Sequence, residues 1–173
     1  MKKSANVSNS MAILQQQEGL TQKQIASDLY ESYELVNKQT KGTRTMSQDV
    51  ARRAIQTYQN FEFESSILHE FSGEITSPVM DGQYIERHRM VLEEIAEAEI
   101  KDALRIIDEV SLVKPPNVCS NDEREDVRRM MHELIEARVT IDNLLMILER
   151  DYGFTVMEET KKVLRKLRSE RRI

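Results

Sequence analysis

Residues Leu92–Val113 read LEEIAEAEIKDALRIIDEVSLV and carry the strongest structural signal in the sequence. Apolar residues recur there every three or four positions, a spacing that places them on one face of an α-helix. The pattern predicts a helix from about Tyr84 to Val113. Pro115 and Pro116 end it, because proline lacks a backbone N–H and disfavours a helical conformation in the residue before it.

A second long helix follows the proline turn. Ser120 and Glu123 have the spacing of a capping box, in which each side chain accepts a hydrogen bond from the other residue's backbone N–H, and Gly153 is a natural stop. The predicted contact residues alternate in steps of four and three, and one of them is charged. They are Val127, Met131, Leu134, Arg138, Ile141, Leu145, Leu148 and Tyr152.

Two long helices joined by a short turn pack as antiparallel neighbours. Pairing about the turn centre places residue i opposite roughly residue 235 − i, so Glu99 falls level with Arg138. Each interrupts an apolar face, and a buried charge is costly unless it is paired. We expect Glu99 and Arg138 to meet as a polar pair in the hairpin; the alternative is that each side chain extends separately to solvent.

Glycine and proline positions divide the rest of the chain. Residues 1–72 form an N-terminal helical head, residues 73–83 are a linker, and residues 84–173 hold the hairpin and a C-terminal helix with a second capping-box pattern at Thr155. The fold class is therefore all-α: a small helical head, a long antiparallel hairpin and a short basic C-terminal helix. Composition agrees, since Trp is absent, 5% of residues are aromatic and 32% are charged.

Cysteine usage and hydropathy indicate the compartment. The single cysteine, Cys119, excludes an internal disulfide and is typical of cytosolic proteins. No run reaches the roughly 18 apolar residues of a membrane span, and residues 1–6 turn polar where a signal peptide would become apolar. We expect a cytoplasmic protein with no membrane contact. The apolar share of 39% is lean, so a second copy or a helical protein partner is expected to complete the burial.

Positive charge is concentrated at the C-terminal end of a chain whose net charge is −5. Residues 160–173 carry seven bases against Glu170 alone. This basic helix is a candidate contact for an acidic partner or nucleic acid; the alternative is that its cations offset the helix dipole. Its candidate residues are Lys161, Lys162, Arg165 and Arg168.

The head contains a stretch with a known resemblance. Residues Leu20–Leu29, LTQKQIASDL, resemble the first helix of a helix-turn-helix unit. The resemblance implies that Ala26 allows two helices to approach each other. It also implies that three apolar residues hold the helices together: Ile25, Leu29 and Val36. The sequence departs from the motif at the turn, where Tyr30 takes the position usually occupied by Gly and Glu31 follows.

A second interpretation of the head places a nucleic-acid contact further along the chain. Residues 37–57 hold five bases against Asp49 alone. A helix that begins near Ser47 presents backbone N–H groups to phosphate, and Gln48 and Arg52 have side chains able to reach base edges. The candidate nucleic-acid-binding residues are Lys38, Lys41, Arg44, Gln48, Arg52 and Arg53. The alternative is a solvated basic face.

Catalytic motifs are not found in the sequence. Its three histidines lack zinc-ligand spacing, and there is no Gly-rich phosphate loop or nucleophile motif. We expect no enzyme activity, no cofactor and no metal. One stretch, Leu92–Glu99, resembles the first metal-binding helix of the all-α MazG-type nucleotide pyrophosphohydrolases, which implies Glu94 and Glu97 as magnesium ligands. That family also has Glu-x-x-Asp on the partner helix, and here Val139 stands three residues before Asp142.

Three functions follow from these patterns. The first is a non-catalytic regulator or packaging-type factor that oligomerises through its hairpin and binds DNA through its head. The second is a protein–protein adaptor or inhibitor without nucleic-acid binding, which the acidic total charge favours. The third is a MazG-like nucleotide pyrophosphohydrolase with an incomplete set of metal ligands.

Overall fold

A computed structural model describes all 173 residues of the chain. It confirms an all-α fold, with eight α-helices, one short 3₁₀ turn and a single two-stranded ribbon. None of the helices combines the length and apolar composition that a membrane span requires. The chain divides into two compact units, Met1–Val79 with Tyr152–Ile173, and Met80–Asp151. The division falls inside the predicted linker, whereas the C-terminal helix belongs to the first unit and not to the unit of the two long helices.

The N-terminal part of the first unit contains five short helices and the ribbon. The ribbon pairs β1 (Ser4–Ala5) with β2 (Met46–Ser47) in antiparallel register. The sequence pattern does not predict it, because two residues are too few for period-two alternation to be visible. The helices are α1 (Ser8–Gln17), α2 (Gln22–Asp28), α3 (Tyr33–Thr40), α4 (Gln48–Thr57) and α5 (Phe61–Ser72).

Capping side chains explain where these helices begin. At α2, Gln24 N donates to Thr21 Oγ1 (3.3 Å) and Thr21 N donates to Gln24 Oε1 (2.9 Å), which is a reciprocal capping box. Ser32, Ser47 and Asn60 accept backbone N–H bonds at the starts of α3, α4 and α5. Each cap satisfies a donor that the first helical turn leaves without an intrahelical partner.

Apolar residues from all five helices and from β2 form the core of this unit. The fully buried members include Met11, Leu14, Ile25, Leu29, Val36, Met46, Ala54, Phe63, Ile67 and Phe71. Phe63 meets the edge of Tyr58 at a centroid distance of 5.8 Å. Tyr58 Oη donates to Asp28 Oδ2 (2.9 Å), and burial together with this bond and the Asp28 charge raises the pKa of Tyr58. The core therefore joins the ends of α2 and α4 to α5.

The remaining helices are α6 (Arg89–Glu109), α7 (Asn121–Tyr152) and α8 (Val156–Ser169), with the 3₁₀ turn at Pro116–Val118. The α6 helix is shorter at both ends than predicted. His88 caps its start, with Nδ1 accepting from Met90 N (3.3 Å). Beyond Glu109, Leu112 and Val113 are exposed, so no burial stabilises a further helical turn.

The predicted start and end of α7 are confirmed. Ser120 N donates to Glu123 Oε2 (2.8 Å) and Glu123 N to Ser120 Oγ (3.2 Å), and Gly153 has a left-handed φ of 72°. The capping box predicted at Thr155 is wrong. Its side chain makes no cap, and Glu158 N donates instead to the Thr155 carbonyl (3.0 Å). The Thr155 carbonyl oxygen thus accepts the hydrogen bond that the Thr155 hydroxyl was expected to accept.

The buried face of α7 is rotated by one residue, about 100°, from the prediction. Its buried residues are Met130, Ala137, Thr140, Asn143, Met146 and Ile147. The predicted contact residues Met131, Leu134, Arg138, Ile141 and Tyr152 are exposed, and Val127, Leu145 and Leu148 are half-buried. The prediction is wrong here because α7 has apolar residues on two adjacent faces, and periodicity does not say which face a neighbour covers.

Two contacts show that α6 and α7 are neighbours. Carboxylate oxygens of Glu99, Glu133 and Glu136 lie within 4.8 Å of one another, and Arg89 Nη1 lies 3.8 Å from Asp151 Oδ2. The start of α6 therefore meets the end of α7, as in antiparallel neighbours. The observed contact of Glu99 is thus with Glu136, two residues before the predicted level partner Arg138; the complete hairpin stays a prediction.

Candidate functional site

The α2 and α3 helices of the first unit are joined by a tight turn. Residues 29–32 join them, and Tyr30 has a left-handed backbone with φ 54°. Tyr30 N donates to Ser27 O (3.2 Å) and Glu31 N donates to Ala26 O (2.9 Å), which closes the end of α2. Tyr30 thus has the backbone conformation that explains the usual Gly at this position, since a side chain there costs roughly 1–2 kcal/mol.

The four residues to which the helix-turn-helix resemblance assigns a packing role are buried. Ile25, Leu29 and Val36 expose no surface, and Ala26 is almost completely covered. The small side chain of Ala26 leaves room for the turn and α3 to approach α2. These four positions are the ones that the resemblance assigned to packing.

Glu31, the acidic departure from the motif, has a partner in α4. Arg53 Nη2 lies 3.2 Å from Glu31 Oε1. The guanidinium side chain is 41% exposed, so the pair contributes little stability. The pair matters for the candidate site, because Arg53 is one of the predicted nucleic-acid contacts and is already bound to Glu31.

The outward face of α3 carries polar and aromatic side chains. Val36 and Gln39 are buried against the unit, and five residues at positions 33, 34, 37, 38 and 41 lie on the opposite side. They are Tyr33, Glu34, Asn37, Lys38 and Lys41, and all but the half-buried Asn37 are exposed. The sequence predicted only the two lysines as contacts. Tyr33, Glu34 and Asn37 could have been added, because their spacing from Val36 places them away from the buried side of the helix.

Three of the predicted bases lie together at the end of α3. The Lys38 carbonyl accepts bonds from Thr43 N (2.9 Å), Arg44 N (3.2 Å) and Thr43 Oγ1 (3.1 Å). These bonds fold the following loop back onto the helix, and the left-handed Gly42 (φ 69°) permits the reversal. Lys38, Lys41 and Arg44 are therefore held within one turn of the helix end, all exposed.

Gln48 and Arg52 belong to a different surface feature, on α4. They line a cleft of about 350 Å³ whose other residues include Ala51, Ile55 and Phe71. Gln48 Nε2 lies 3.9 Å from the Met1 sulfur. The surroundings of these two side chains are largely apolar, so the structure does not group them with the bases at the end of α3.

The basic C-terminal helix has a half-buried apolar side, at Leu164 and Leu167 among others, and an exposed basic side. None of its residues is fully buried, and Lys161, Lys162, Arg165 and Arg168 all face solvent. Lys162 Nζ pairs with Glu159 (2.6 Å). With this helix included, the first unit holds 15 Lys and Arg against 12 Asp and Glu, whereas the second unit holds 10 against 18. The basic excess of the protein therefore lies in the first unit.

The second unit contains a carboxylate cluster that the sequence interpretation did not assemble. It joins Glu99 of α6 to Glu133 and Glu136 of α7, whereas Glu94 and Glu97 are exposed and Glu97 pairs with Lys101. The overlooked signal is the Glu-x-x-Glu spacing on α7. Carboxylate oxygens are ligands that Mg²⁺ accepts, but three of them supply only half of an octahedral shell.

Glu99 has a perturbed titration in this cluster. Burial is the largest cause, followed by the charges of Glu136, Asp102 and Glu133, and together they raise the pKa of Glu99. Arg138, the expected partner of Glu99, lies on the exposed side of α7, one residue after the buried Ala137. The pair of Glu99 with Arg138 stays a prediction.

Replacing Glu99 by Gln is expected to stabilise the second unit at pH 7 by about 0.5–1 kcal/mol, because a like charge at about 5 Å costs roughly that much in water. The raised pKa means that the ionised carboxylate destabilises the folded state, and that this cost disappears as the pH falls through the folded-state pKa. Urea unfolding at pH 7 and near pH 4 measures the difference, which should shrink at the lower pH. Glu94→Gln, at an exposed carboxylate, is the control; equal effects of both variants would contradict the prediction.

Comparisons with protein-family models, with curated proteins and with solved structures found no significant match to this chain. Its function is therefore inferred from the arrangement of its own residues. That arrangement is all-α, with two short helices joined by a tight turn in the first unit and two long helices in the acidic second unit.

Proposed function

We propose that the protein is a non-catalytic DNA-binding regulator or packaging-type factor, and that α2 and α3 are its DNA-binding unit. The observation that supports this most is the turn at Tyr30, which joins two short helices over a core of Ile25, Leu29 and Val36. In helix-turn-helix proteins the second helix lies in the major groove, and its outward residues contact base edges. Here that helix is α3.

The outward residues of α3 have the chemistry that base and phosphate recognition requires. Asn37 can pair with adenine through two hydrogen bonds, and Glu34 can accept a bond from cytosine N4. Lys38, Lys41 and Arg44, held together by the loop, suit phosphate oxygens. The site would thus read sequence through the middle of α3 and bind the backbone at its end.

Charge distribution supports the same assignment. The basic excess lies in the first unit and the acidic excess in the second. An acidic surface is repelled by phosphate, so the second unit is expected to take no part in the DNA contact. The exposed α8 cations would add attraction that depends on salt but not on sequence.

Replacing Lys38, Lys41 and Arg44 together by Ala should weaken DNA binding by about 100-fold at low salt. The loss of three phosphate contacts should also reduce the slope of log affinity against log salt by about 2 to 3. Fluorescence anisotropy with a labelled duplex of mixed sequence, from about 50 mM to about 200 mM salt, measures both quantities.

A matched control removes three cations from the second unit. Lys101, Arg105 and Arg128 are exposed and lie in ion pairs on their own helices, so their replacement by Ala changes net charge equally. Binding should then stay close to that of the unmodified protein. If the unmodified protein binds no duplex at any salt concentration, the proposed function is wrong. Equal losses in both triple variants would show that only total charge matters.

Two alternatives are separable by direct assays. A MazG-like nucleotide pyrophosphohydrolase would release pyrophosphate from nucleoside triphosphates with magnesium, and Glu133→Gln or Glu136→Gln would reduce that release while Glu94→Gln would not. A protein–protein adaptor or inhibitor would bind neither DNA nor nucleotide.

A further inference from the structure

We propose that a second copy of this chain covers one side of the α6 and α7 pair, giving an antiparallel four-helix bundle. This inference goes beyond the DNA-binding function and does not depend on it. It begins from large apolar side chains that the second unit leaves exposed on both helices. They are Ile100, Leu104 and Ile107 on α6, and Met131, Leu134 and Ile141 on α7.

Each of these residues follows directly after one that faces the inside of the unit. On α6, Leu104 follows the buried Ala103 and Ile107 follows the buried Ile106; on α7, Met131 follows the buried Met130. One residue along an α-helix turns the side chain by about 100°. The exposed apolar residues therefore lie beside the buried face of each helix and not on its far side.

In neighbouring helices that run in opposite directions, these two adjacent faces point to the same side. Both helices are right-handed. When the pair is viewed from one end, moving one residue along the chain therefore turns the side-chain direction clockwise on one helix and anticlockwise on the other. The ion pair of Arg89 with Asp151 and the contact of Glu99 with Glu136 give α6 and α7 opposite directions. The six apolar residues thus share one surface, which we call the lateral face.

The lateral face is too apolar to be an ordinary solvent surface. Leu104 is 57% exposed and Met131 is 55% exposed. Counting five residues from the contact of Glu99 with Glu136 places these two side chains level with each other. Contiguous exposed apolar groups of this kind mark interaction sites, and two helices with broad apolar faces are half of a four-helix core.

Charge identifies the second copy as the partner. Two residues beyond the contact of Glu99 with Glu136, Glu97 on α6 and Arg138 on α7 lie level with each other. Both belong to the lateral face, because they follow the buried Ala96 and Ala137. A face that presents one charge of each sign at one level is complementary to itself.

A two-fold axis parallel to the helices satisfies both the apolar and the charged residues. It places α6 of one copy against α7 of the other at the same level, so Leu104 meets Met131 of the second copy and Glu97 meets Arg138 of the second copy. An axis perpendicular to the helices would reverse the levels and set these charges either against like charges or against apolar residues of the second copy. Glu97 also pairs with Lys101 on its own helix, but both side chains are largely exposed and such a pair is weak, so it does not prevent the contact with the second copy.

Charge reversal tests this arrangement. Glu97→Arg alone and Arg138→Glu alone each place like charges at two symmetric contacts, so each variant should dimerise about 10- to 100-fold more weakly than the unmodified chain. An equimolar mixture of the two should dimerise like the unmodified chain, because both contacts become complementary. Pairing within one chain cannot produce this rescue by mixing. Sedimentation velocity, with a chain mass of 20.2 kDa, distinguishes monomer from dimer.

Control variants separate the lateral face from other exposed positions. Leu104→Glu should give a monomer, whereas Val113→Glu, at a residue that is 91% exposed in the turn, should leave the dimer intact. Glu94→Arg, on the far side of α6, should also leave it intact. An unmodified chain that stays monomeric at all concentrations, or charge variants that mixing does not rescue, would overturn the proposal. If Leu104→Glu does not fold, the mixing experiment decides alone.

Discussion

Phe63→Ala is expected to destabilise the first unit by about 3–5 kcal/mol, the usual cost of truncating a buried aromatic side chain. Phe63 exposes no surface and meets Tyr58 edge-on at 5.8 Å. Its removal leaves a cavity among residues of α5 and the neighbouring helices. Since the core that holds α2 and α3 is the same core, the variant should also lose whatever DNA binding the protein has.

Thermal and urea unfolding followed by circular dichroism measure this effect. Phe154→Ala is the matched control, because Phe154 is 66% exposed and the same truncation there should change the free energy of unfolding by less than about 0.5 kcal/mol. A loss below about 1 kcal/mol for Phe63→Ala would mean that the core is not packed around this ring.

Asn143→Ala is expected to destabilise the second unit by about 2–3 kcal/mol, the combined cost of two lost hydrogen bonds and an unsatisfied buried group. Asn143 is fully buried on α7. Its Oδ1 accepts from Met80 N (2.7 Å), and its Nδ2 donates to Val139 O (2.9 Å). The side chain thereby fixes the segment before α6 against α7.

Hydrogen exchange gives this prediction a local measurement. The Met80 amide should exchange much faster in Asn143→Ala than in the unmodified protein, because its acceptor is gone. Asn117→Ala, at an exposed position in the turn, should alter neither exchange at Met80 nor stability by more than about 0.5 kcal/mol. An unchanged Met80 exchange rate in Asn143→Ala would refute the proposed role of this side chain.

The helix boundaries that the sequence predicts correctly are those with a local chemical signal. The capping box of Ser120 with Glu123 and the stop at Gly153 need only residues within four positions of each other. The start of α6 is placed too early, because its cap is His88, a residue that is seldom read as a helix start.

The candidate DNA-binding unit was recognisable for a related reason. Ile25, Ala26, Leu29 and Val36 are close in sequence, and the resemblance to a helix-turn-helix unit implied the packing that their burial shows. The grouping of Lys38, Lys41 and Arg44 depends on the loop that folds back onto the Lys38 carbonyl. The pairing of Glu31 with Arg53 depends on the position of α4, which a local pattern does not contain.

The α6 and α7 helices separate what the local sequence predicts from what packing between helices fixes. Local sequence signals are enough to predict that α6 and α7 are long helices joined by a proline turn, because periodicity, caps and prolines act over a few residues. Only the tertiary structure decided which face of α7 is buried, and so placed Ala137 inside and Arg138 outside. The physical reason is that apolar residues one position apart differ by about 100° in direction yet have equal hydrophobicity. A packed neighbour covers one face, and the adjacent face stays exposed.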